Sequence, residues 1–155
     1  MTPDAAFLRE HKDLIHKELD LIQDVIKRMA ANSFQVKAWM AGIISFIAAF
    51  ERGKLFSEPL LLLVLLVPIA SFWYLDGFFL QAERKYRSLY NEVIRKRTAG
   101  DLSGLYDLNP HRFNSGAPSI RKMMVSKTLL PFYLIPIVLL LAALLYMTLA
   151  AAPAA

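Results

Sequence analysis

The chain contains no cysteine, which excludes disulfides, thiol catalysis and cysteine-ligated metal sites. Histidine is nearly as scarce. His11 and His16 are five apart and share no helical face suited to a metal pair, and His111 stands in a loop-forming segment outside any zinc spacing. No nucleophile elbow, phosphate-binding loop or dinucleotide fingerprint occurs, so the sequence points away from an enzyme and toward no cofactor. The first 33 residues lack the short apolar core and small-residue site of a cleaved signal peptide. Glycine and proline are both missing between Pro3 and Gly42. Lysine and arginine disappear after Lys127.

What the chain does have is apolar residues, 56% of its 155 positions, against about 45–50% in an ordinary soluble domain. They gather in three stretches: 34–50, 59–80 and 129–152. The third runs for 24 residues without a charge, and a membrane-spanning helix needs about 20. The second has 17 uncharged residues before Asp76. The first has 13 after Lys37, whose long side chain can snorkel to the interface. Of the 18 Lys and Arg, six precede or open the first stretch, two lie between the first and second, ten between the second and third, and none follows. The positive-inside rule then predicts three crossings, with the N-terminus cytoplasmic and the C-terminus outside.

The expected fold is all-α: a three-span membrane protein whose first two spans form a long hairpin continued into the cytoplasm by amphipathic helices. Thr2 reads as a helix cap ahead of Pro3. Leu8, Ile15, Ile22 and Met29 recur every seven residues, widened by Leu19, Val25 and Ile26, so 1–33 reads as an amphipathic helix. The segment 51–58 is a short external loop with Ser57 as the next cap. Pro68 predicts a kink in the second span. Over 81–99 a second stripe, Tyr86, Leu89, Tyr90, Val93 and Ile94, reads as the partner of the first, with the helix ending near Gly100. Residues 100–128 form a basic loop in which Leu105, Tyr106, Leu108 and Phe113 are available to dip into the interface. The tail 153–155 lies outside.

Several residues are candidates for function. Asp76 is the single acid inside an apolar run, a functional candidate by default. Lys37 falls near its level, so a Lys37–Asp76 ion pair clamping two helices is the first reading; pore lining or a proton or ligand site is the alternative. Trp39, Trp73 and Tyr74 read as interface anchors. Ala38, Gly42, Ser45 and Ala49 place small side chains along one helical face, for packing within the chain or between subunits. Arg84, Lys85, Arg87, Arg95, Lys96 and Arg97 belong to a segment, 81–127, with ten positive and four negative groups. Such a segment fits anionic lipid headgroups, with a nucleic-acid or nucleotide contact less favoured. Arg121, Lys122 and Lys127 anchor the start of the third span.

The runs Ile26-Lys27-Arg28-Met29-Ala30-Ala31-Asn32-Ser33-Phe34-Gln35-Val36-Lys37-Ala38-Trp39 and Tyr74-Leu75-Asp76-Gly77-Phe78-Phe79-Leu80-Gln81-Ala82-Glu83-Arg84-Lys85-Tyr86-Arg87-Ser88-Leu89-Tyr90 resemble a group of small bacterial multi-span membrane proteins. The layout is similar to that of the SLATT-type two-span effectors of bacterial conflict systems, with a third span added. The resemblance implies a homo-oligomeric channel or pore that perturbs the inner membrane when a cytoplasmic sensor protein signals, in antiphage defence. It also draws attention to Asn32, Ser33, Lys37, Trp39, Asp76 and Arg84. The alternative is a non-catalytic anchor or scaffold that recruits a soluble partner through its basic cytoplasmic region.

Overall fold

The computed structural model describes residues 9–50, 59–113 and 116–151. Among these the protein is wholly helical: α1 (Lys12–Phe50), α2 (Pro59–Thr98), a 3-10 turn (Pro110–Phe113), α3 (Ile120–Met124) and α4 (Leu129–Ala151). The Thr2 cap, Leu8, the 51–58 loop with Ser57, and the tail 153–155 lie outside the described residues.

Two of these helices are long and apolar enough to cross a membrane, through Leu62–Thr98 of α2 and Leu129–Ala150 of α4. The expected first span, 34–50, lies within the single long helix α1.

The chain divides into two compact units, Met1–Ala31 with Phe79–Ser119 and Asn32–Phe78 with Ile120–Ala155. In the first, the early part of α1 pairs with the end of α2. Ile22, Leu89 and Val93 form its buried centre, packed by Leu19, Ile26, Tyr86, Tyr90, Leu108 and Phe113. The pairing is antiparallel, because Glu18 meets Arg97 while Gln23 meets Tyr90. Helix α2 stops where glycine allows it. Gly100 takes φ 77°; its N–H bonds Arg97 O at 3.1 Å, and Asp101 N–H bonds Lys96 O at 3.0 Å. This is the Schellman closure, which satisfies carbonyls the helix leaves open.

The loop that follows is tied down by its own side chains. Asp101, Asp107 and Asn109 each accept the N–H two residues on, at 2.7, 3.1 and 2.9 Å. Such Asx turns give a loop backbone partners without a helix or strand. Leu108 and Phe113 therefore pack on the core of this unit. That corrects the expectation that they dip into a membrane interface: the apolar stripe of the paired helices offered them a nearer surface to bury.

In the second unit, Leu62 and Leu65 of α2 are buried against Ile47 of α1 and Leu140, Ala143, Leu144 and Met147 of α4. Ser126 lies just ahead of α4 and caps it: its O accepts Leu130 N–H at 3.0 Å and its Oγ accepts Leu129 N–H at 3.4 Å. Pro131 sits in the first turn, where its missing N–H costs nothing. Outward, α4 exposes Ile135, Val138, Leu139, Leu145, Tyr146 and Leu149. A helix apolar on every side, with most of that surface uncovered, is suited to lipid rather than water.

Candidate functional site

Asp76 is completely buried, and its carboxylate is the hub of the second unit. Ser33 Oγ donates to one oxygen, and the Lys37 ammonium pairs with the other. Tyr133 O–H donates to that second oxygen at 3.0 Å. Lys37 Nζ also donates to Ser33 Oγ at 2.9 Å, which aligns the hydroxyl toward Asp76. Ser33 and Lys37 are four apart on α1 and so occupy one face. One carboxylate thus holds α1 and α4 to α2, and all its partners are donors. No buried side-chain polar atom among the described residues lacks a partner.

Aromatic residues close the site. Tyr133 stacks on Trp73, with centroids 5.9 Å apart and planes at 10°, and meets Phe132 edge-on at 5.2 Å. Phe132 also lies 6.0 Å beneath Lys37 Nζ. The Trp73 indole N–H donates to Met124 O at 2.9 Å. That contact fixes α3 in the same unit, and Gly77 lets it come near: a Cβ there would meet Met124 Cγ at 2.8 Å and Ile120 O at 3.4 Å. Trp73 is therefore not an outward-facing anchor. It lies three residues before Asp76, on the same helical face, whereas Tyr74 is rotated away by about 100°. Tyr74 and Trp39 are exposed.

The four small residues of α1 are all exposed, and nothing lies within 4 Å of where a Gly42 Cβ would stand. Helical phase explains it. The covered edge of this segment carries Val36 and Met40, and the small residues fall about 180° from it on a 3.6-residue helix. Packing among the described residues does not use them.

A second buried polar centre lies in the first unit and carries no sequence motif. Glu18 is 0% and Arg97 2% exposed. Arg97 Nε and Nη2 each donate to the Glu18 carboxylate at 2.8 Å, a bidentate pair. Arg97 Nη1 donates to Asp101 O and Ser103 O, and Glu18 Oε1 accepts Tyr106 N–H at 2.9 Å. Hydrogen bonding to Glu18 raises the Arg97 guanidinium above its ordinary range. Tyr106 sits at φ 61°, an uncommon conformation for a bulky residue, and this bond helps hold it there. Arg97 is therefore no surface contact, contrary to the sequence expectation: it faces along the α2 stripe toward Glu18. Among the other candidate cations, Arg84 and Arg95 are exposed and Lys85 is half-buried. Arg87 and Lys96 are paired along α2 with Glu83 at 2.7 Å and Glu92 at 3.6 Å.

Sequence reasoning missed Tyr133 and Glu18, and Ser33 entered only through resemblance. Glu18 had a signal: it falls between Ile15 and Ile22 at a position of the seven-residue stripe where an apolar residue is expected. Its first unit also bears a groove of about 410 Å³ lined by Gln23, Ile26, Lys27, Arg87, Tyr90 and Asn91. The groove presents little net charge, since Lys27 pairs with Asp24 at 3.5 Å and Arg87 with Glu83. Among the described residues no cluster of His, Asp or Glu could hold a metal ion. Comparison with protein-family models, with curated proteins and with solved structures gives no match.

Proposed function

We propose that this chain is an oligomeric inner-membrane effector that perturbs membrane integrity or potential when a cytoplasmic partner signals, in bacterial antiphage defence. In this reading it threads the membrane three times, through 34–50, 59–80 and 129–152, with the N-terminus inside. The observation that carries it is the surface of the α1 segment 34–49. Phe34, Trp39 and Phe46 are exposed, and so are Ala38, Gly42, Ser45 and Ala49. The segment is apolar around most of its circumference, with the small side chains in one sector flanked by Phe34 on one side and by Trp39 and Phe46 on the other. A sector of small residues lets a second helix approach closely in a bilayer, which supports assembly with further copies. The Asp76 hub, saturated by Ser33, Lys37 and Tyr133, corresponds to the closed state, in which the one acid of the described membrane unit is withdrawn from any path.

The test is expression in cells loaded with a voltage-sensitive dye. Loss of potential on triggering, abolished by Gly42→Leu, supports the effector. The second reading, a scaffold that recruits a soluble partner, is favoured by the same saturation of Asp76 and by the exposed Arg84 and Arg95. It is the one to keep if potential stays intact under every trigger. A reporter fused behind Ala155 checks the topology, and cytosolic activity of that reporter removes the three-span arrangement.

A further inference from the structure

We propose that copies of this chain bind one another head to tail through their first units, the outward face of α1 on one copy against the outward face of α2 on the next. Within the unit the two helices pack through Ile22, Leu89 and Val93. Asp20 and Asp24 lie about 160° around α1 from Ile22, and Asn91 and Arg95 lie about 120–160° around α2 from Leu89. All four are exposed. Asp20 and Arg95 have no partner among the described residues, and Asp24 meets the exposed Lys27 through Oδ1 at 3.5 Å. The α1 face carries Asp13, Asp20 and Asp24 against Lys17, whereas the α2 face carries Arg84 and Arg95 and no acid. One helix pair thus presents acid on one side and base on the other.

The register points to a second copy as the occupant. Glu18 meets Arg97 and Gln23 meets Tyr90 inside the unit. Between those two levels Asp20 stands level with Arg95, and Asp24 with Asn91, to within about 1.5 Å, one residue's rise. In a ring whose axis runs along the helices every copy keeps the same height. Arg95 of one copy then faces Asp20 of the next, and the Asn91 amide faces Asp24. Both pairs engage together, because each partner is one helical turn from the other on its own helix. Lys17 falls opposite Thr98, which carries no charge. Contact between unlike faces is heterologous and makes a ring where the rotation closes. An α2–α2 contact would set arginine against arginine. An α1–α1 contact can join Lys17 to Asp20 but leaves Arg95 uncovered. Arg28 and Arg84 fall at neighbouring levels and repel, so the attraction is confined to 17–24 against 91–98. Exposed ion pairs add little affinity; they select partner and register. The contact therefore rests on the assembly already proposed for the membrane unit, which supplies the affinity.

The absence of cysteine from the chain makes the test clean. Lys17→Cys and Thr98→Cys are introduced together in the full-length protein, in membranes, leaving Asp20, Asp24, Asn91 and Arg95 in place. Within one copy the two positions lie on opposite sides of a helix pair, more than about 10 Å apart, beyond the roughly 7 Å that a disulfide spans. Oxidation should therefore link copies into a ladder that dithiothreitol reverses, while K17C alone and T98C alone stay unlinked. Arg95→Glu or Asp20→Arg should each lower the ladder roughly fivefold or more, as like charges replace an attractive pair, and D20R with R95E should restore it. Arg95→Gln, a milder change, should lower it less. No ladder, a ladder indifferent to both reversals, or a charge exchange that fails to restore it overturns the contact. So does linkage by K17C alone, which would assign the α1 face to itself. The size of the parent chain in polymer nanodiscs separates the two readings: a monomer removes the oligomeric function proposed above, whereas an oligomer without the ladder removes this face alone.

Discussion

Removing Arg97 tests whether the buried Glu18–Arg97 pair organises the first unit. Arg97→Met keeps much of the side-chain volume and deletes the charge. Glu18, 0% exposed, is then left with the Tyr106 N–H as its one remaining partner in the site, while Asp101 O and Ser103 O lose their donor. Breaking one partner of a buried pair costs about 3–5 kcal/mol, because the other charge stays behind uncompensated. Glu18→Leu leaves the guanidinium with backbone carbonyls alone and should cost a similar amount. Joining the two changes does not restore the parent, since Tyr106 N–H and two carbonyls remain unmet at about 1–3 kcal/mol each wherever water cannot reach them. The double variant should still cost less than the two singles together, by up to about 3 kcal/mol. Glu83–Arg87 is the internal control: its arginine is 64% exposed, and such a pair on a helix surface contributes about 0.3–0.5 kcal/mol. Hydrogen exchange of the full chain in detergent, read over 15–26 and 86–113, gives these local opening free energies. If Arg97→Met lowers protection no more than Arg87→Met does, or if the two replacements at Glu18 and Arg97 add within about 0.5 kcal/mol, the pair does not organise the unit.

Asp76→Ala should cost about 3–5 kcal/mol by stranding Lys37, whereas Lys37→Met with Asp76→Leu should recover most of that loss, as buried pairs replaced by apolar groups often do; thermal unfolding in detergent measures both. Gly77→Ala should cost about 1–3 kcal/mol as its methyl displaces Met124 and Ile120, with a shift in Trp73 emission. Gly42→Ala, inside α1 with open space around it, should not destabilise the chain and should stabilise the helix by about 0.5–1 kcal/mol. Asp101 is held below its ordinary value of 3.8, first by the Ser103 hydroxyl and then by the Ser103 N–H. A depressed carboxylate lends stability that is complete above that ordinary value and lost as pH falls through the lower folded one. Protection of the amides at Ala99 and Gly100 should therefore decline in acid, and Asp101→Asn should flatten the decline; an identical profile in that variant would refute it.

Several elements were legible before any coordinates. The seven-residue stripe located Ile15 and Ile22, and both are buried. Gly100 marked the end of α2 because a left-handed residue is the simplest closure for a helix. The uncharged run at 129–151 declared α4 by length and composition. The proximity of Lys37 and Asp76 followed from counting residues back along two antiparallel helices, and the structure brings them together. Other features were not legible, for identifiable reasons. Trp73 and Tyr74 are neighbours in sequence and look alike, yet a rotation of about 100° sends one inward and the other out. Arg97 belongs to a run of three basic residues, Arg95-Lys96-Arg97, and composition cannot say which of them turns toward a carboxylate 79 positions away. The turn formers of 100–128 predict a basic loop with apolar residues free for the membrane interface, but Leu108 and Phe113 complete a core whose other half lies on two helices.

The sequence by itself determined that the chain is helical and which stretches are apolar, because periodicity and run length are local properties that survive without any partner. It also determined where along the chain positive charge gathers, with ten Lys and Arg between 81 and 127 and none after Lys127. Only the tertiary structure decided which polar groups are consumed in holding helices together and which remain on the surface, because that depends on helical phase and on partners tens of residues away. The closure of Asp76 by Tyr133, and of Glu18 by Arg97 and the Tyr106 backbone, are such decisions: each joins residues too far apart in the chain for spacing to predict.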